Sequence, residues 1–304
     1  MIRRNAIALM ITIFFVMAIS LSLGIALKQV KEARTDIQKQ NFLLQTNVIL
    51  EDVLNILKSS QEMDAVVKEE SAEALYLLLS QASFIPFEHS GIAITLELKS
   101  ARSMVNINSL NDLNATNKEE RVNSFINYFK LFNVTSEYTS MLLDNISKVE
   151  EDMYYNSGIF DENPDMFRDY IVSQKHLDEI NNYYMSYYNE NSVSKIDFEN
   201  LFYFSKDRAS KVDLNYATVE TWRLLTGCDE TRAEELNFAG GSFTKVSDLN
   251  LSTEETISLG YFATSYYEPL LDIRVEVKEG DLSAKIRFEY DMKTKKGSNF
   301  VYEI

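Results

Sequence analysis

The first sixty residues constrain the fold of this chain more than any other stretch. Arg3 and Arg4 precede an uncharged run that extends to Leu27. As a helix rising about 1.5 Å per residue, this run is long enough to cross a hydrocarbon core of about 30 Å. From Lys28 to about Ser60 the chain has no proline or glycine, and apolar residues recur at helical spacing. The sequence therefore predicts one long helix, anchored in a membrane at one end and packed on a water-exposed domain at the other.

A cleaved secretory signal peptide is the alternative interpretation of this stretch. Such a peptide has an apolar core of about 7–15 residues and a small-residue cleavage site. The run here is longer, although Gly24–Ala26 has the composition of such a site. Charge does not orient the span, because three basic residues between Lys28 and Arg34 balance the two arginines in front of the run.

Composition disfavours several classes of function. The 304 residues carry a formal net charge of −16, so most of the surface would repel a phosphate backbone, and direct nucleic-acid binding is not expected. Cys228 is the sole cysteine, which excludes an intramolecular disulfide. The two histidines, His89 and His176, belong to no recognisable catalytic or metal-binding pattern. We therefore do not expect an enzyme.

The start of the chain resembles the short basic leader of type IV pilins and pseudopilins. Ala6 stands where that superfamily usually has glycine, and Ile7 is then the first mature residue. Ile11 occupies the position where most pilins carry glutamate, which the K-type minor pseudopilins of type II secretion commonly lack. The resemblance implies that prepilin peptidase cleaves between Ala6 and Ile7 and that residues 7–27 span the inner membrane.

Beyond the long helix, the periodicity changes to that of strands. A second helical piece, Ser71–Leu79, is expected to end before Phe84–Pro86, because proline disfavours helix in the residue before it. Gly91–Leu98 and Ser103–Asn108 are then predicted to form a hairpin on the outer half of the long helix.

Two asparagine-rich stretches resemble motifs of the K-type family. Asn106 and Asn108 lie where that family passes from its sheet into an inserted helical domain, and Asn215 and Ala217 resemble its second motif. The chain from Lys118 to about Thr264 has mostly helical patterns and is rich in Tyr and Phe. Taken alone, asparagines at such places are turn and capping residues, so structural roles are expected for all four motif residues.

The segment after the second motif has a helix-hairpin-helix-like pattern. DNA-binding hairpins of this kind hold phosphate on backbone N–H groups at a glycine turn and a helix N-terminus. Here the turn is Gly227-Cys228-Asp229-Glu230, with two acids at the phosphate position. We therefore expect a packing unit with Trp222 buried.

An acidic stretch from Asp144 to Tyr155 resembles the loop that binds calcium in the K-type family. Its first half keeps a single aspartate, whereas its second half keeps the Glu-Asp pair and the two tyrosines. The ligands that the resemblance implies for Ca²⁺ are Asp144, Glu151 and Asp152, and Asp161 and Asp165 of a nearby acidic loop are the candidates for the missing oxygen ligands. A solvated acidic loop is the alternative.

The chain closes on three segments with strand patterns. Leu271–Val277, Ala284–Tyr290 and Asn299–Ile304 predict an antiparallel meander with one apolar face, for which the long helix is the natural cover. The predicted fold is α+β: a pilin-like long N-terminal helix packed on an antiparallel sheet, with a large inserted α-helical domain. Its predicted parts are a leader (1–6), a transmembrane helix (7–27), a periplasmic helix and first strands (28–108), the insertion (109–265) and the C-terminal strands (266–304).

The resemblance implies a function as well as a fold. It implies a minor pseudopilin at the tip of a type II secretion pseudopilus, which initiates assembly with other minor pseudopilins. Such a protein crosses the bacterial inner membrane once and has a periplasmic C-terminal domain. A minor pseudopilin of a DNA-uptake system and a signal-anchored periplasmic binding protein stay open as alternatives.

Overall fold

The structure is a computed structural model that describes residues 2–89, 91–112, 116–148 and 155–303; side chains are described except at 2–27, 30, 32, 35 and 89. The helices in this part of the chain are α1 (Ile2–Ser59), α2 (Gln61–Glu69), α3 (Ala72–Ala82), α4 (Lys118–Lys130), α5 (Ser136–Ile146), α6 (Ile159–Glu162), α7 (Gln174–Tyr188), α8 (Val219–Thr226), α9 (Glu230–Phe238) and α10 (Thr253–Leu259). The strands are β1 (Phe84–His89), β2 (Ile92–Ser100), β3 (Val105–Asn106), β4 (Phe202–Tyr203), β5 (Val212–Asp213), β6 (Thr264–Ser265), β7 (Leu270–Glu279), β8 (Leu282–Asp291) and β9 (Lys296–Glu303). Short 3-10 helices lie at Ile107–Asn111, Ser192–Lys195 and Val246–Leu249.

Helix α1 runs from Ile2 to Ser59 without interruption, as the lack of proline and glycine after Lys28 predicts. One face of its C-terminal half is buried and repeats every three or four residues. The members of this inner face are Phe42, Thr46, Leu50, Val53 and Leu57. The helix ends where Ser60 takes an extended conformation and its hydroxyl accepts a hydrogen bond from the N–H of Met63, which starts α2.

The predicted leader and membrane span lie outside the side chains that the structure describes. This holds for Ala6 and Ile7 at the predicted cleavage site and for the rest of residues 7–27. Among the residues whose side chains are described, no helix is long and apolar enough to cross a membrane.

A five-stranded antiparallel sheet packs on the inner face of α1. Its strand order is β1-β2-β7-β8-β9, so the C-terminal meander completes a sheet begun before the insertion. Along β7, Ile273, Val275 and Val277 are buried and form one core with Leu50 and Val53 of α1. The strand alternation dictates this arrangement, because a sheet with one apolar face must cover it. The predicted packing of the meander on the long helix is therefore confirmed.

The hairpin predicted for the first strands is wrong in its partners. Strand β2 pairs with β1, in which Phe84 faces Glu97, so the stretch around Pro86 is itself a strand, which follows the end of α3 at Ala82. Proline is tolerated there because β1 is an edge strand, in which alternate N–H groups face away from the sheet and need no partner strand. The predicted second strand is reduced to Val105–Asn106, which leaves the sheet and pairs in parallel with β4, about a hundred residues further along the chain.

A second core belongs to the inserted helices. Its largest fully buried side chains include Trp222, Tyr138, Tyr184, Phe125 and Phe129. The rings of Phe129 and Tyr138 meet edge to face with centroids 5.0 Å apart, and those of Tyr138 and Tyr184 do so at 5.2 Å. Such edge-to-face pairs are a favourable geometry for aromatic side chains. These five aromatic side chains thus form the interior of the insertion, whereas Phe167, Tyr187 and Phe238 of the same unit are exposed.

Candidate functional site

The first asparagine motif holds two remote loops to the end of β3. The side-chain amide of Asn106 donates to the carbonyl oxygens of Ser205 (3.0 Å) and Asp207 (2.8 Å), and its Oδ1 accepts from the N–H of Asn108 (3.2 Å). The side chain of Asn108 pairs with the backbone of Ile171, donating to its carbonyl at 3.0 Å and accepting from its N–H at 2.7 Å. Both asparagines are buried, and their side chains make hydrogen bonds to backbone groups as a neighbouring strand would.

The second motif also holds distant backbone segments together, at the other end of the insertion. The side-chain amide of Asn215 donates to the carbonyl oxygens of Phe243 (2.9 Å) and Tyr266 (2.8 Å). Its Oδ1 accepts from the N–H groups of Gly241 (3.0 Å) and Phe243 (2.8 Å). Ala217, two residues further on, is buried. The side chain of Asn215 thereby fixes the glycine turn and the return of the chain to the sheet.

The two motifs lie side by side in the structure. The N–H of Asp213 donates to the carbonyl of Arg102 at 2.8 Å, and the N–H of Thr218 donates to the carbonyl of Ser103 at 3.1 Å. The hydroxyl of Thr218 caps α8 by accepting from the N–H of Thr221. We call α1–α3 with the five-stranded sheet the sheet unit. The chain therefore leaves and re-enters the sheet unit through one junction.

A buried acid at this junction was missed in the sequence. Both carboxylate oxygens of Asp213 accept backbone hydrogen bonds, from Asn215 at 3.0 Å and from Glu268 at 2.9 Å. Burial nevertheless raises the pKa of Asp213 to about 7. Its position two residues before Asn215, at the end of an alternating segment, is the sequence signal for such a turn-capping aspartate.

Asp144, the first predicted calcium ligand, is a capping residue for a nearby turn. Its buried carboxylate accepts four hydrogen bonds: Oδ1 from the backbone and side-chain N–H groups of Asn156, and Oδ2 from the N–H and hydroxyl of Ser157. Four donors use the lone pairs that a metal would need. Asp144 in this arrangement therefore does not fit a calcium ligand.

The other predicted ligands do not form a described cluster with Asp144. Glu151 and Asp152 lie outside the described residues, and Asp161 and Asp165 are exposed on and after α6. In the part of the chain that the structure describes, no three Asp, Glu, His or Cys side chains are grouped so that they could hold a metal ion.

In the helix-hairpin-helix-like turn, an aspartate side chain caps the N-terminus of the second helix. Helix α8 ends at Gly227, whose φ of 72° is the left-handed conformation that glycine adopts without strain. Asp229 then caps α9, since its Oδ1 accepts from the N–H of Arg232 at 2.9 Å. The acid therefore occupies the place where a phosphate would bind, and Trp222 is fully buried as predicted.

The exposed side of α1 carries an apolar stripe. Ile37, Leu44 and Val48 are 58%, 65% and 58% exposed, and at about 100° per residue they lie opposite the inner face. We call these three residues the outer stripe. The helical spacing of apolar residues in the sequence does not by itself reveal this stripe, although the seven-residue step from Ile37 to Leu44 is a signal for a second helix-packing face.

Comparison with solved structures shows a similar fold. The structure resembles a chain in the crystal structure of the GspK-GspI-GspJ complex from the type 2 secretion system of enterotoxigenic Escherichia coli. The TM-score is 0.53 at 10% sequence identity, over 88% of this chain and 99% of that chain. No protein-family model and no curated protein matches the sequence. The similarity therefore concerns the fold, and it confirms the predicted α+β architecture of a long helix, an antiparallel sheet and an inserted helical domain.

Proposed function

We propose that this chain is a K-type minor pseudopilin of a type II secretion system, which joins other minor pseudopilins at the tip of the pseudopilus and helps to start its assembly. The observation that carries the proposal is the shared fold over nearly the whole chain, together with the leader-like start of the sequence. Residues 7–27 would anchor the protein in the inner membrane, and the sheet unit and insertion would lie in the periplasm. The role is structural rather than enzymatic.

The outer stripe supplies the surface for assembly. Its three exposed apolar side chains lie opposite the buried face of α1, so a neighbouring helix could cover them by knobs-into-holes packing. Burying their exposed area would stabilise the contact by roughly 1 kcal/mol each. The solved complex contains GspI and GspJ beside GspK, so the I-type and J-type minor pseudopilins are the partners that we propose here.

Two features favour the tip over the shaft. The insertion is a bulky unit with its own core, which is hard to place between closely packed subunits. Ile11 replaces the glutamate that in the pilin family is thought to meet the N-terminus of the neighbouring subunit. A subunit at the end of the filament lacks such a neighbour on one side.

Processing tests the class of protein. Intact-mass analysis of protein made beside its own prepilin peptidase should show loss of the first six residues and a new N-terminus at Ile7. Protein made in cells lacking the peptidase is the control and should stay uncut. An uncut Met1 in the presence of the peptidase, or a cut near Gly24–Ala26, would contradict the pseudopilin proposal and favour a signal-anchored periplasmic protein.

Assembly tests the outer stripe. Leu44→Asp should weaken co-purification with the I-type and J-type minor pseudopilins from the same genome, because it places a charge where a neighbouring helix would pack. Leu131→Asp is the matched control, since Leu131 is a comparably exposed leucine on the insertion, at 57% against 65%. Equal loss in both variants, or no loss in Leu44→Asp, would contradict the assigned surface.

A further inference from the structure

A groove lies between α2 and α3, on the side of the sheet unit away from its core. Met63 and Leu75 point inward and are buried with the sheet, whereas the groove opens outward. Its volume is about 470 Å³. Ala65, Ala74 and Leu77 form part of its apolar lining.

The groove leaves apolar side chains in contact with water. Leu77 on α3 is 49% exposed, and its neighbour Leu78, which also lines the groove, is half-buried. The small side chains of Ala65 and Ala74 leave room between the two helices. An apolar depression flanked by helices is the form of site that receives the apolar face of a third helix.

The edges of the groove are acidic. Glu62, Glu69 and Glu73 line it, and no lysine or arginine is among its described lining residues. Within the described part of the chain, Glu69 and Glu73 form no salt bridge, and both are exposed. Their charges are therefore available to a cationic ligand, and they disfavour an acidic one.

We propose that this groove binds an amphipathic helix of a partner protein, with apolar residues on one face and lysine or arginine residues beside that face. Helices α2 and α3 have 9 and 11 residues, so they offer a groove for a helix of about ten residues. Charge selects this occupant, because the three glutamates that line the groove attract lysine or arginine residues and would repel an anionic membrane surface. The groove and the outer stripe are separate surfaces, so the proposal does not rest on the proposed function.

A pair of peptides tests the proposal. The probe is a fluorescein-labelled helical peptide of about 14 residues, with leucines at helical spacing and lysines flanking them; in the second peptide glutamates replace the lysines. Fluorescence anisotropy is measured with the full-length chain at one fixed detergent concentration, so that partition into micelles is the same for every variant. We expect the lysine peptide to bind at least about tenfold more tightly than the glutamate peptide at low salt.

Two variants locate the binding. Leu77→Lys should weaken binding of the lysine peptide about tenfold, whereas the control Leu131→Lys should leave it within about twofold. Glu69→Gln with Glu73→Gln should weaken it and reduce its salt dependence, and the exposed pair Glu119→Gln with Glu120→Gln should not.

Several outcomes would overturn the proposal. Equal affinity for the two peptides, or equal effects of Leu77→Lys and Leu131→Lys, would remove the groove as a site for a basic helix. A wild-type dimer that Leu77→Lys converts to a monomer in sedimentation would identify a second copy as the occupant instead. Leu44→Asp should leave peptide binding unchanged, so a failure of the proposed function is distinguishable from a failure of this inference.

Discussion

The side chain of Asn215 is the point at which a single substitution should do most damage to the insertion. Asn215→Ala removes an amide that pairs with four backbone groups: the N–H groups of Gly241 and Phe243 and the carbonyls of Phe243 and Tyr266. The residue is 5% exposed, so water reaches these groups poorly after the change. We therefore expect a loss of stability beyond that of an ordinary surface asparagine.

The magnitude follows from the number of groups left without a partner. A buried polar group that loses its hydrogen bond costs about 1–3 kcal/mol. Four such groups at the low end of that range give about 4 kcal/mol, and water entering the small cavity would reduce the cost somewhat. The predicted loss is then about 3–4 kcal/mol, a large fraction of the roughly 5–15 kcal/mol that stabilises a typical domain.

The sole tryptophan reports on this region directly. Trp222 is fully buried in the core of the insertion, with its ring centroid 6.3 Å from that of Phe243. Urea denaturation of the full-length chain, followed by tryptophan fluorescence, therefore measures unfolding of the insertion. The matched control is Asn237→Ala, which removes one hydrogen bond to the carbonyl of Ala217 from an exposed residue in the same unit. It should cost about 1 kcal/mol or less.

Two results would refute this reasoning. If Asn215→Ala unfolds within about 1 kcal/mol of the wild type, the four hydrogen bonds do not hold the turn. If Asn237→Ala is as costly as Asn215→Ala, the effect belongs to losing any asparagine in the unit and not to the buried network.

Three further predictions concern the turn, the pH dependence and calcium. Gly241 has φ of 92°, and a Cβ at this position would overlap the ring of Tyr76. Gly241→Ala should therefore lower the free energy of unfolding by about 2 kcal/mol or more in the same urea assay. Adding Tyr76→Ala to the same chain should restore only the part of this loss that comes from the steric overlap. Burial raises the pKa of Asp213 to about 7, so between about pH 5 and 7 the contribution of Asp213 to stability falls as the pH rises. Burial lowers the pKa of His176, so over the same range the contribution of His176 to stability falls as the pH drops. Relative to wild type, the stability of Asp213→Asn should therefore rise with pH over this range and that of His176→Phe should fall; slopes of the same sign in urea titrations would contradict the assignment. If Glu151 and Asp152 bind Ca²⁺ without Asp144, chelator should lower the melting temperature by several degrees, and Asp152→Asn should abolish that difference. Identical melting curves would remove the site.

The elements that sequence reasoning predicted well are those defined by local periodicity. Helix α1 is continuous because nothing between Lys28 and Ser60 interrupts helical backbone, and β7 and β8 follow from strict alternation within each segment. Even there the sequence did not separate the two apolar faces of α1. The side chain of Phe42 is buried and that of Leu44 is exposed, because residues two apart lie on nearly opposite sides of a helix and only one side of α1 contacts the sheet.

Local sequence patterns do not predict which distant strands pair with each other. The short distance in sequence between β2 and β3 predicts a hairpin, but the partner of β3 is Phe202–Tyr203. Strand β1 was overlooked because Pro86 lies inside it, and only its edge position makes proline acceptable. Both errors concern where a strand lies in a sheet, which is decided by the rest of the chain.

The candidate site shows the same limit for single side chains. The acidic stretch around Asp144 resembles a calcium-binding loop, yet the carboxylate of Asp144 accepts hydrogen bonds from the backbone N–H groups of Asn156 and Ser157. The asparagine motifs were expected to be structural, and the structure places their side chains in hydrogen bonds to backbone groups up to about a hundred residues away. Those partners are not visible in the spacing of the motifs.

The distribution of charge bears on where such a chain belongs in a filament. Residues 109–265 contain 27 acidic and 13 basic residues, against 19 and 17 in the rest of the chain, so the insertion carries −14 of the net −16. Repulsion between exposed charges acts over about one Debye length, about 8 Å at physiological salt. In a shaft built from copies of this chain, neighbouring insertions would repel one another wherever they approach within that distance, whereas a single copy among different partners avoids the repulsion. The charge of the insertion therefore supports the proposal made above that one copy lies at the end of an assembly, for a reason independent of its bulk.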